Sequence, residues 1–119
     1  MIETENLQNS IIEGIQEKKG EDITIINLTN IEDSICNYFI ICQANTPNQI
    51  IAITDSIKDI VKEKNSISPF FVEGVKYAHW IAMDYGDIIV HILTPELRRF
   101  YNLENLWADA TLTNIPNMD

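Results

Sequence analysis

The sequence predicts an α/β (α+β) fold: one domain with a mixed β-sheet of about five strands and flanking helices. Three observations carry this. Stretches with helical spacing alternate with short β-branched runs in the order αββαβββα, a pattern that buries its apolar residues best as helices packed on a sheet. The 119 residues are one domain's worth, and 45% of them are hydrophobic, enough for a single core. No Gly- or Ser-rich linker, internal repeat or low-complexity segment divides the chain.

Leu7, Ile11, Ile12 and Ile15 recur at helical spacing, and Lys18, Lys19 and Gly20 follow, which suit a helix C-terminus and its left-handed cap. The first helix is therefore expected over residues 4–19. Residues 22–28 carry Ile23, Ile25, Ile26 and Leu28, too few for a stable helix and β-branched enough for a strand. The run Tyr38-Phe39-Ile40-Ile41-Cys42 is continuously apolar, which suits a central strand covered on both faces. Thr46, Pro47 and Gln49 form a cap, a first-turn proline and a capping-box position. The second helix that they open has a stripe of Ile50, Ile53, Ile57, Ile60 and Val61 and fades by Asn65.

Residues 70–74 are a third strand candidate, followed by two strand runs around a tight turn. With Tyr85-Gly86 as a two-residue loop, Asp84 faces Asp87, Ala82 faces Ile89 and Trp80 faces His91. Alternation then places Ile81, Met83, Ile88, Val90 and Ile92 on a core face. Trp80, Ala82, Asp84, Asp87, Ile89, His91 and Leu93 share the other, more polar face, which a helix must roof or a partner must meet. Thr94 and Pro95 repeat the cap-plus-proline start, opening a short helix through Tyr101, and residues 103–107 add a further turn. The domain is expected over residues 1–110, with 111–119, which contain Pro116 and show no periodicity, as a mobile tail.

There are 18 acidic and 8 basic residues, and the net charge of −10 opposes grip on nucleic-acid phosphates or on an anionic membrane. A basic protein surface is the complementary partner. The N-terminus lacks a basic leader pattern and no apolar run approaches the roughly 20 residues of a membrane span, so a cytoplasmic protein is expected. Cys36 and Cys42, six apart in or beside a strand, are too distant for a disulfide and read as small buried hydrophobes.

Enzymatic chemistry finds little support. Asp84 and Asp87 could converge on a cation, yet carboxylates flanking a turn glycine are ordinary turn chemistry, and the chain has only four glycines and no phosphate-cradling loop. His79 and His91 fall on opposite faces, and no cysteine–histidine spacing suits zinc. No serine sits in a nucleophile elbow. No catalytic residue, cofactor or metal is expected. Trp80 differs from an ordinary core tryptophan because its predicted face also holds polar groups, whereas Leu103, Leu106 and Trp107 form a docking stripe. Arg98 and Arg99 have Glu96, Glu104 and Asp109 as ready ion-pair partners.

In combination, Glu73-Gly74, Trp80, Met83-Asp84-Tyr85-Gly86-Asp87, Val90-His91, Arg98, Phe100-Tyr101, Leu103-Glu104 and Leu106-Trp107 resemble the signature of the ribosomal silencing factor (Iojap) family. Lys18-Lys19, the Ile23 strand and Tyr38-Phe39-Ile40-Ile41 extend the resemblance over nearly the whole chain. It implies a nucleotidyltransferase-like domain without the catalytic motif. It further implies a non-enzymatic factor that binds the large ribosomal subunit through ribosomal protein uL-fourteen and blocks small-subunit joining when nutrients are scarce. Trp80, Asp84, His91, Arg98 and Tyr101 are the candidate partner-binding residues. Asn37 stands where the family usually has Asp, and Asn48-Gln49 where Arg-His is common. A metal-dependent nucleotidyltransferase-like enzyme and a homodimeric adaptor are the competing readings; turnover with nucleotide and Mg²⁺, or self-association without ribosomes, would distinguish them.

Overall fold

A computed structural model of the chain describes residues 3–106 and 110–118. Its elements are α1 (Thr4–Glu17), β1 (Glu21–Asn27), β2 (Tyr38–Gln43), α2 (Pro47–Asn65), β3 (Phe71–Glu73), β4 (Trp80–Asp84), β5 (Ile88–Leu93), α3 (Pro95–Tyr101), a 3₁₀ turn (Leu103–Asn105) and β6 (Thr111–Ile115). The strands lie in the order β3-β4-β5-β2-β1-β6. Only β2 and β5 pair in parallel among the described ladders, so the sheet is mixed. The apolar run Tyr38–Gln43 occupies an interior position between β5 and β1, as its burial on both faces requires.

The two threonine–proline caps act as the sequence predicts. The Thr46 hydroxyl accepts from the Gln49 N–H at 3.1 Å and the Thr94 hydroxyl from the Leu97 N–H at 3.4 Å, each with proline in the first turn. Gln49 does not close a capping box; its Nε2 donates to the carbonyls of Lys18 and Lys19, tying the start of α2 to the end of α1. α1 stops at Glu17, two residues before the expected end, and Lys19, not Gly20, takes the left-handed conformation at φ 61°.

α1 and α2 pack together on one sheet face. Leu7, Ile11 and Ile15 of α1 and Ile50, Ile53, Ile57 and Val61 of α2 close over Ile23, Ile40, Cys42, Ile81, Met83, Ile88, Val90 and Ile92. On the opposite face a smaller cluster of Ile26, Leu28, Cys36, Phe39, Ile41 and Leu93 is covered by Leu97 and Leu103, with Trp80 packed at its margin. Both cysteines are free and buried, and burial pushes the Cys42 thiol up to about 12.

Two further expectations change. Asp84 pairs with Ile89, Ala82 with His91 and Trp80 with Leu93, two residues beyond the expected partners along β5. The loop is Gly86-Asp87: the Tyr85 N–H donates to the Ile88 carbonyl at 2.9 Å, and positive φ falls at the first loop position, Gly86 at 88°, as a type II′ turn requires. This choice leaves Tyr85 directly after β4, with its ring buried on the core face beside the residues that share its parity. Because the shift is an even number of residues, every side chain within β4 and β5 keeps its predicted face.

The second change is at the C-terminus, where residues 111–115 form β6 in place of the start of a mobile tail. β6 pairs with β1 from Thr111↔Asn27 to Ile115↔Ile23, and the Thr24 hydroxyl donates to Asn114 Oδ1 at 2.9 Å. This sixth strand also raises the expected count of about five. The expected docking of Trp107 lies outside the described residues.

Candidate functional site

Alternation along β4 sends Trp80, Ala82 and Asp84 to the face away from α1 and α2. The β3 ladder, whose register the sequence did not reveal, sets Phe71 opposite Asp84 and Glu73 opposite Ala82 on the same face. Among the described residues, α3 and the 3₁₀ turn roof the β5-β2-β1 part of this face and nothing covers the β3-β4 part. Phe71, Phe100 and Tyr101 are exposed there or at the end of α3, and Trp80 and Asp84 are half-buried.

The aromatic side chains form a connected row. The Trp80 ring centroid lies 4.9 Å from that of Tyr101 and 5.8 Å from that of His91. Tyr101 stands edge-on to Phe100 at 5.0 Å, and His91 edge-on to Phe39 at 4.7 Å. The Trp80 Nε1–H donates to His91 Nδ1 at 3.0 Å. The two residues are diagonal neighbours across β4 and β5, since Trp80 is directly opposite Leu93. Burial lowers the His91 pKa from 6.5 to about 4 by penalising the imidazolium, so the ring is neutral at physiological pH.

Of the five residues singled out from the sequence, Trp80, His91 and Tyr101 come together. Asp84 shares their face further along β4, where its Oδ1 accepts from the Gly86 N–H at 2.7 Å. Arg98 lies elsewhere: it is 9% exposed and turned into the protein. Its Nε donates to Glu104 at 2.9 Å, its Nη2 to the Thr24 hydroxyl at 3.0 Å, and its Nη1 to the Asp22 carbonyl and Gln43. Arg98 thus ties α3 to β1, with Glu104 as its ion-pair partner. Next to it a polar groove of about 650 Å³ opens between α3 and β6.

Asp87 and Asp84 have different hydrogen-bond partners. Asp87 occupies the turn, where its carbonyl accepts from the Asn37 and Tyr38 N–H groups and its carboxylate receives the Asn37 amide at 3.4 Å. Asn37 can donate there, whereas an aspartate would set two like charges together. His79 is exposed just before β4, and its carbonyl accepts from the Thr94 N–H. No group of three or more potential metal ligands occurs among the described residues, and none of their helices is long and apolar enough to cross a membrane.

Phe71 lay in an expected strand and Glu73 in the Glu73-Gly74 motif, but neither was placed on this face, because a three-residue edge strand carries no alternation to set its register. Phe100 and Phe39 carried a signal, as parts of the Phe100-Tyr101 and Tyr38-Phe39 motifs, that was not translated into contacts.

The model of the family described as "ribosomal silencing factor during starvation" matches residues 2–119. The ribosomal silencing factor RsfS of Bacillus subtilis is 38% identical over 99 residues, covering 83% of this chain and 82% of the relative. A crystal structure from Chromobacterium violaceum superposes with a TM-score of 0.81 at 27% identity, covering 90% of this chain and 88% of that one. A second, from Bacillus halodurans, gives 0.77 at 29% identity, with 98% and 99% covered. On sequence and fold together, this chain belongs to the ribosomal silencing factor family.

Proposed function

We propose that the chain represses translation by binding the large ribosomal subunit through ribosomal protein uL-fourteen on its intersubunit face, where it blocks joining of the small subunit under nutrient limitation. The action is steric and non-enzymatic. The observation that carries this reading is the uncovered β3-β4 face, where Trp80, Phe71 and Tyr101 stand on one surface with Glu73 and Asp84. Aromatic anchors beside carboxylates match a basic protein surface, because the rings supply desolvated contact area and the acids fix orientation against lysine or arginine. The net charge of −10 acts in the same direction, attracting a basic ribosomal protein and opposing the surrounding rRNA phosphates.

In this reading Trp80, Tyr101 and Asp84 meet the partner, while His91 and Arg98 act from within the fold. Asp84 and Asp87 take no catalytic part; the Asp84 carboxylate bonds within the turn and that of Asp87 accepts from Asn37 ahead of β2. The test is subunit joining. Purified large subunits preincubated with the protein and then mixed with small subunits should migrate separately on a gradient, with the protein in the large-subunit fractions. Unchanged formation of joined ribosomes at saturating protein would sink the proposal.

A further inference from the structure

An indole N–H can only donate, so the 3.0 Å contact between Trp80 Nε1 and His91 Nδ1 requires a bare, accepting Nδ1. The proton of the neutral imidazole is then on Nε2. That atom is buried and has no hydrogen-bond partner among the described residues. A buried donor without an acceptor costs stability, which a phenyl ring of similar shape would not incur. The histidine therefore serves a purpose that packing alone does not explain. Its ring is wedged edge-on against buried Phe39 and is 8% exposed, so it cannot swing, and the nitrogen it presents to Trp80 is fixed in space.

Trp80, by contrast, is half-buried and lies at the margin of its cluster, touching Tyr101 on its other side. An indole at such a margin has other rotamers open to it, and each costs affinity if the partner must order it on binding.

We propose that His91 is a positioning residue: held as the Nε2–H tautomer, it accepts the Trp80 indole N–H and thereby sets the ring in its docking orientation before the partner arrives. This rests on the proposed function insofar as Trp80 is the anchor; the hydrogen bond and the tautomer do not depend on it.

The chemistry offers a discriminating pair of variants. The Oδ1 of asparagine falls where Nδ1 of histidine lies, whereas glutamine reaches the Nε2 position. His91→Asn should keep the acceptor for Trp80, and His91→Gln and His91→Phe should lose it. The first readout is the indole ¹H–¹⁵N NMR signal of Trp80, identified by its loss in Trp80→Phe. It should be downfield and slow to exchange in the wild type and in His91→Asn, and should move upfield and exchange faster in His91→Gln and His91→Phe. The second is affinity for purified large subunits, which should fall about tenfold in the Gln and Phe variants and recover in Asn, the scale of one net hydrogen bond. Thermal unfolding should show His91→Phe at least as stable as the wild type, which separates positioning from a general loosening of the fold.

An indole signal that stays in place in His91→Gln and His91→Phe would overturn the inference at the hydrogen bond. Subunit affinity unchanged in those two, while Trp80→Glu loses binding, would overturn it at the positioning step and leave the docking surface standing. If Trp80→Glu also binds normally, the docking surface itself is wrong and the positioning role falls with it.

Discussion

Arg98 of α3 donates through Nη2 to the hydroxyl of Thr24 in β1 at 3.0 Å, joining two residues 74 positions apart in the chain. The remaining nitrogens are spent on Glu104, the Asp22 carbonyl and Gln43, so one side chain holds α3, the 3₁₀ turn, β1 and β2 together. Removing it leaves a partly buried carboxylate and several oxygens without their donor. Arg98→Met is expected to destabilise the domain by about 2–4 kcal/mol, read as a lower denaturant midpoint at unchanged slope. Arg98→Lys should recover little, because a point charge cannot span the forked set of acceptors.

Gly74 provides a second structural test. Its φ is 93°, and a Cβ built there would lie 2.1 Å from the Trp80 carbonyl oxygen. Gly74→Ala should therefore strain the backbone and push on the start of β4, costing roughly 1–3 kcal/mol. Chemical denaturation measures the cost, and a variant as stable as the wild type would mean the β3–β4 connection is placed incorrectly.

The depressed pKa of His91 makes a signed prediction for pH. Folded, the ring titrates near 4; unfolded, near 6.5. Between these values the unfolded chain binds more protons, so stability rises with pH in that window. The contribution of neutral His91 is complete above about pH 6.5, declines as pH falls towards 4, and levels off below that. The limiting slope is about 1.4 kcal/mol per pH unit for one proton. The difference in unfolding free energy between wild type and His91→Phe should show this slope between pH 4 and 6.5. A flat difference would place the imidazole in water.

What the sequence disclosed and what it withheld divide along physical lines. Thr46-Pro47 and Thr94-Pro95 announced their helices because capping is local chemistry, complete within four residues. The faces of β4 and β5 were legible because burial imposes parity, but the two-residue slip was not, since an even shift leaves every apolar residue where it was. Only the turn distinguishes the two registers, and there the burial of Tyr85 prevailed over the expectation of a Tyr85-Gly86 loop.

β6 escaped notice for a different reason: Thr111 to Asn114 are all exposed at the sheet edge, so no hydrophobic pattern marks them. Trp80, His91 and Tyr101, grouped from the sequence, touch one another through Trp80, whereas the inward turn of Arg98 depends on a contact with Thr24 that no local pattern encodes.

The central claim is that Trp80 anchors the partner from the open face, while its neighbour in sequence, Ile81, belongs to the core and is fully buried. The direct measurement is the affinity of Trp80→Glu for purified large ribosomal subunits, with thermal unfolding of the same variant and of Ile81→Glu alongside. The account predicts that Trp80→Glu remains folded and loses at least about 2 kcal/mol of binding, roughly thirtyfold, as expected for a central anchor. Ile81→Glu should unfold, because it buries an unpaired carboxylate. A folded Trp80→Glu that binds large subunits as tightly as the wild type would contradict the account.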